Sequence, residues 1–210
     1  MSYLMVHLAI GHRLLDLCPD INDKNAFLLG TISPDAIMFR PGCQRSDKST
    51  THFCLGDEEW GHYTNYENWQ DNLLKNLKGY TGAVDKDFLF GYMAHVVTDI
   101  ESLRCFCNPI RLSGGKSGMA RYIDDCREID SILLNDFENI NELWLALESA
   151  NKHCLADLYS VRDNSLLIDE MKSKMYHNRF VDPDYVPSIF TLPRALQFIE
   201  AVTNKIMELS

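Results

Sequence analysis

The stretch Phe88-Leu-Phe-Gly-Tyr-Met-Ala-His-Val-Val-Thr-Asp-Ile100 decides how this chain is read. It is apolar almost throughout, yet it carries His95 and Asp99 four residues apart. Residues at i and i+4 share one helix face, about a turn apart. An imidazole and a carboxylate placed this way can grip a single cation from a rigid platform. Burying a lone carboxylate is costly unless something pairs with it, so this helix asks for partners from elsewhere in the chain.

Outward from that stretch, the periodicity is helical and nowhere strand-like. The central helix starts at Asp85 or Asp87 and runs to about Leu103. Before it, helices are expected over 3–18, stopped by Pro19, around Asn25–Leu29 as a short helix or turn, and over Trp69–Leu77. Residues 40–64, rich in Gly, Ser, Thr and Asp, read as a long loop, and loops of more than about 15 residues in a compact domain are usually functional or disordered. After the central helix, 109–117 reads as a loop around Gly114-Gly115. Helices follow over 119–134, 141–160 and 165–177, then a loop over 182–188 and a last helix from Thr191-Leu-Pro193 to Leu209. No internal repeat or second domain is visible, so the expectation is an all-α single domain over 1–210.

Bulk properties narrow the function. With 210 residues, 46% apolar and 24% charged, the chain can bury one substantial core. No apolar run reaches the roughly 18 residues that span a bilayer, and Met1-Ser-Tyr-Leu-Met-Val-His7 lacks the basic region of a signal peptide; a cytoplasmic protein is expected. Seven cysteines is an odd number, and Cys105-Phe-Cys107 is too tightly spaced for a zinc knuckle, so the cysteines read as free thiols. A net charge of −10 gives no bulk attraction for nucleic acid or anionic lipid, so no stable nucleic-acid binding is expected. The same charge suits divalent cations.

Five residues form the candidate site: His7, Asp35, His52, His95 and Asp99. Imidazole and carboxylate are zinc's ligands among the non-thiol side chains. Singly, each has a plainer reading: His7 as a core histidine, Asp35 as a helix N-cap, His52 as a solvated loop residue, Asp99 as a partner of Arg104. Jointly, a loop acid, a loop histidine and an HxxxD helix can converge on one cation. His7 can then bind a second cation beside Asp99, whose two oxygens bridge.

The order His7-Leu-Ala-Ile, Gly30-Thr-Ile-Ser-Pro-Asp35, Thr50-Thr-His52-Phe and Gly91-Tyr-Met-Ala-His95-Val-Val-Thr-Asp99 resembles the zinc-dependent phospholipase C and S1/P1 nuclease superfamily. The resemblance covers about residues 4–130. It implies an all-α fold and up to three zinc ions cleaving phosphodiester or phosphomonoester bonds. It also implies one zinc on Asp35, His52, His95 and Asp99, a second shared by Asp99 and His7, and Asp35 as the catalytic base. Three features depart from the family pattern. The family's metal-binding N-terminal residue corresponds to nothing obvious in Met1-Ser2; Cys105 stands where a further histidine is expected; and the helix that should supply a histidine and a glutamate, Tyr122-Ile-Asp-Asp-Cys-Arg-Glu-Ile-Asp130, carries only acids. Asp125 and Glu128 at i, i+3, or Asp124 and Glu128 at i, i+4, are candidate ligands there. Cys126 and Ile129 mark the buried side and favour Asp125, and carboxylates in place of imidazole favour Mg²⁺ or Mn²⁺ at that position. The plainer reading is a solvated face balanced by Arg121 and Arg127.

Two functions follow as expectations. One is a metal-dependent phosphoester hydrolase acting on a small phosphoester or phospholipid head group. The other is a helical binding or structural protein with a non-catalytic metal site. The Val186–Leu192 segment, with Ile189 and Phe190, is a candidate apolar lip for a lipid substrate, and Trp60, Tyr63, Tyr66 and Trp69 are candidates to line a substrate mouth or simply to pack together.

Overall fold

The computed structural model describes residues 4–54, 56, 58, 60–137, 139–177 and 184–210, without the side chains of 174–177. Among these residues the protein is all-helical, with no sheet strand. The α-helices are α1 Leu4–Leu17, α2 Lys24–Gly30, α3 Lys48–Thr51, α4 Tyr66–Gly79, α5 Lys86–Ser102, α6 Asn108–Asn135, α7 Ile140–Ser149, α8 Val161–His177 and α9 Leu192–Leu209. Met1-Ser2, and residues 182 and 183 of the expected loop, lie outside the described residues. No described helix is long and apolar enough to cross a membrane.

Helix α5 is the axis of the core, buried along most of its length. Asp85 is its N-cap, accepting from Asp87 N and Phe88 N at 2.9 and 3.0 Å. Asp87 ties down the preceding chain instead, accepting from Asn22 N and Asp23 N at 2.9 and 2.7 Å. Helix α2 crosses α5 with backbone against backbone. A Cβ on Gly91 would land on the Phe27 carbonyl oxygen, and one on Gly30 would land on that of Phe88. Only glycine permits so close an approach. Helix α1 packs its buried face, including Met5, His7, Leu8 and Leu14, against α5, α6 and α9.

Three expected boundaries move. The chain does not become a loop at 109: a π-turn over Leu103–Cys107 carries α5 directly into α6, where Pro109 is tolerated in the first turn. The break falls at Gly115, at φ 54°, ψ −146°. The pattern over 141–160 ends at Ser149, because Leu155 and Tyr159 reach the core from irregular chain rather than from a helix. Residues 40–64 are not one long loop, since they contain a 3₁₀ turn at Arg45–Asp47 and α3.

Candidate metal centre

Each candidate ligand is set by a different local device. Asp35 sits in the first turn of a 3₁₀ helix, Ser33–Phe39, opened by Pro34. His52 is the C-cap of α3, and the chain leaves it through Phe53 in the left-handed region at φ 53°. A bulky residue there costs roughly 1–2 kcal/mol. Burial of Phe53 against Tyr92, and the Trp69 indole N–H donating to the His52 carbonyl at 2.7 Å, hold that exit in place. His95 and Asp99 come from α5 and His7 from α1.

The structure brings Asp35, His52, His95 and Asp99 together, with one ligand atom of each lying within 4.8 Å of the others. His52 Nε2 is 3.2 Å from His95 Nε2, 3.2 Å from Asp35 Oδ1 and 3.3 Å from Asp99 Oδ2. His95 Nε2 is 3.5 Å from Asp35 Oδ1. Donors about 2.0–2.1 Å from a tetrahedral zinc are separated by roughly 3.3 Å, so these four separations match four of the six edges of such a set, while the other two, from Asp99 to Asp35 and to His95, lie within 4.8 Å.

The protons are arranged to match. His95 Nδ1 lies 2.7 Å from the Thr31 carbonyl oxygen, which can only accept, so Nδ1 carries the hydrogen and Nε2 turns a lone pair inward. The glycine crossing of α2 and α5 places that carbonyl. Thr51 Oγ1 lies 3.0 Å from His52 Nδ1 and 3.3 Å from the Lys48 carbonyl oxygen. His95 thus faces inward as a lone-pair donor beside two carboxylate oxygens, and His52 does the same in the tautomer in which Thr51 donates to Lys48 and accepts from Nδ1. A hydrogen bond from the outer ring nitrogen is the usual support of a metal-binding histidine.

His7 stands beside this group rather than in it. Its Nε2 is 3.5 Å from Asp99 Oδ1, its ring stacks on His95 at 3.9 Å, and its Nδ1 is buried with no hydrogen-bond partner among the described residues. Asp99 therefore turns one oxygen to His7 and the other to His52. Burial, reinforced by His95 and opposed by Asp99, pushes the His7 imidazole down to about 4.

Lys48, which no sequence motif marks, also belongs to this group. Its ammonium, on a side chain only 4% exposed, contacts Asp35 Oδ1 and lies 3.7 Å from Asp99 Oδ2. Trp60 covers this edge, 5.4 Å from the ammonium and edge-on to His52 at 4.9 Å. Burial works against ionisation of Asp35 and Asp99, yet Lys48, aided by the imidazoles, holds both well below the ordinary carboxylate range. Burial likewise opposes the charge on Lys48, and the two aspartates raise it above its ordinary value. The only trace in the sequence is the spacing of Lys48 four residues before His52.

Asp125 and Glu128 are not part of this group. Asp125 is fully buried, but its oxygens accept from Ser188 N, Ile189 N and Phe190 N at 3.0, 2.6 and 2.9 Å, and from the Tyr185 hydroxyl at 2.7 Å. It fastens the segment before α9. Glu128 is buried outside the four-residue cluster, and Asp124 is exposed and paired with Arg127 at 2.8 Å. The expected apolar lip is split: Phe190 is buried against Phe106, Tyr122 and Phe198, Ile189 is half-buried and Val186 is exposed. Tyr63 and Trp60 both pack on Trp69, so the aromatic group is chiefly packing.

No protein-family model, curated protein or solved structure matches this chain. Its class is thus defined by the fold and the site alone: an all-helical protein with a buried His–Asp cluster of metal-binding geometry.

Proposed function

We propose that this protein is a metal-dependent phosphoester hydrolase, in which Asp35, His52, His95 and Asp99 would hold a zinc ion and His7, beside Asp99, would help to hold a second cation. The observation that supports this most is the set of 3.2–3.5 Å separations among the inward-facing atoms of the four residues. The donor set fits zinc: two neutral imidazoles and two carboxylates, with the outer nitrogens already hydrogen-bonded. Mn²⁺ or Mg²⁺ belongs only at a more acidic position, for which Asp125, engaged by four donors, is unsuited.

A divalent cation at such a site polarises a phosphoryl oxygen and lowers the pKa of water toward neutrality. The protein's own part is to fix orientation and move a proton. Asp35 faces the cluster through Oδ1, and its other oxygen is the base for water. Thr31 and Thr51 lock the two imidazoles, so the donors need no reorganisation as charge develops on the phosphate. The substrate class is a small phosphoester or phospholipid head group.

A second reading, a non-catalytic metal staple, is favoured by how closed the cluster is: its most exposed side chain, Asp99, is only 11% accessible. Structural zinc sites are closed, whereas catalytic ones keep an open position. Elemental analysis of untagged, chelator-free protein, followed by assay on phosphomonoesters and phosphodiesters, separates the two. Two equivalents of metal with turnover support the hydrolase, and one without turnover supports the staple. No metal, even after zinc is supplied, rejects both.

A further inference from the structure

We propose that Lys48 is a resident counter-ion of the metal centre. Its ammonium holds Asp35 and Asp99 together while no metal is bound, and a metal must displace it on entry. This rests on the metal-site reading above and adds to it a competitor built into the chain.

The ammonium and a metal would share the same oxygen. Lys48 contacts Asp35 Oδ1, the atom 3.2 Å from His52 Nε2 and 3.5 Å from His95 Nε2, and lies 3.7 Å from Asp99 Oδ2, the atom that faces His52. Lysine is almost never fully buried unless paired, and this one is buried against the two carboxylates that a tetrahedral set would use. Two carboxylates and one ammonium leave a net charge of −1. With the imidazoles neutral, a divalent ion in place of the ammonium brings the group to zero. Two cations side by side on Asp35 Oδ1 would instead repel across a few ångströms of poorly screened space.

Trp60, only half-buried, already holds its ring 5.4 Å from Nζ, and an indole face attracts an ammonium, so the lysine has a partner other than the carboxylates that a metal would take. Lys48 begins the short helix α3, whose C-cap is His52, and His52 N donates to the Lys48 carbonyl at 2.9 Å. One turn of chain thus delivers both a ligand and its competitor, so the lysine can leave by side-chain rotation without unseating the histidine.

The test uses zinc on metal-stripped full-length protein, wild type and Lys48→Met, titrated against a chromophoric chelator. In parallel, amine labelling of wild-type Lys48 is read by mass spectrometry with and without zinc. The expected results are at least tenfold tighter zinc binding by Lys48→Met, a lower melting temperature for that variant in chelator, and a severalfold rise in Lys48 labelling when wild type takes up zinc. Zinc uptake by Lys48→Met alone also supports the proposal. If zinc binds wild type and Lys48→Met equally, or if Lys48 stays protected in the zinc-loaded wild type, the counter-ion role is overturned and the metal site stands. If Lys48→Met does not fold, wild-type labelling decides alone. If neither protein takes up zinc, the metal reading itself fails and the counter-ion role fails with it.

Discussion

Asp125, fully buried, and Asp99, partly buried, are both carboxylates on long helices, yet their surroundings are of opposite kinds. Asp125 accepts from three backbone N–H groups and a tyrosine hydroxyl, with the Arg121 guanidinium 3.5 Å away, partners that stay in place as long as the fold does. Asp99 faces His7, His52 and Lys48, side chains whose protons can leave or be replaced. A carboxylate satisfied by amides is finished as chemistry; one facing imidazoles and an ammonium can still exchange partners. The identity of the donors, more than the depth of burial, separates the two.

The largest effect should come from breaking the finished site. Asp125→Ala leaves three amides and Tyr185 facing a void and should destabilise the fold by ~4 kcal/mol, read by urea unfolding, with zinc content per folded chain unchanged. A fall in zinc content would show that the two carboxylates are not independent.

The next effect reads the exchangeable site through pH. His7 titrates near 4 when folded and near 6.5 when unfolded. Between those values the unfolded chain binds the extra proton, so stability rises with pH through that window and is lost as pH falls from 6.5 toward 4. The shift is worth ~3 kcal/mol, and a His7→Gln variant should show a flatter stability profile over that interval.

At the exchangeable carboxylate, Asp99→Asn should weaken zinc binding by about a hundredfold, ~2.7 kcal/mol, in a chelator competition. His153→Ala, remote from the cluster, should leave it unchanged. Equal zinc content in both would remove Asp99 from the site. The smallest effect sharpens the comparison from the other side: Tyr185→Phe removes one of Asp125's four donors and should cost about 1.5 kcal/mol, with no change in zinc binding.

The helical class and the central helix were legible because α5 combines an apolar run with a polar pair at i, i+4, a pattern that fits one secondary structure only. The burial of Asp125 rather than Asp124 was legible too, from Cys126 and Ile129 beside it. What engages Asp125 was not, because its donors are backbone amides some 60 residues away, and amides carry no sequence signature. Lys48 was hidden for a related reason. It lies in a Ser- and Thr-rich segment without periodicity, where a lysine ordinarily points to solvent, and only the tertiary fold turns it inward. The 109–117 boundary failed because Pro109 and the Gly114-Gly115 pair look like a loop, although proline suits a first turn and only Gly115 breaks the helix.

The contact of α2 with α5 through Gly30 and Gly91 has a consequence for the inheritance of the site. The Thr31 carbonyl that selects the His95 tautomer is held in place by two residues with no side chains, so nothing at positions 30 and 91 would register as chemistry. A descendant of this chain retaining all five histidine and aspartate candidates but carrying alanine at position 91 would keep the motif and lose its aim. The helices would be wedged apart, and the imidazole would be free to flip its proton toward the ligand position. Presence of the ligand residues and competence of the centre are therefore separately heritable, with the second written in the absence of atoms.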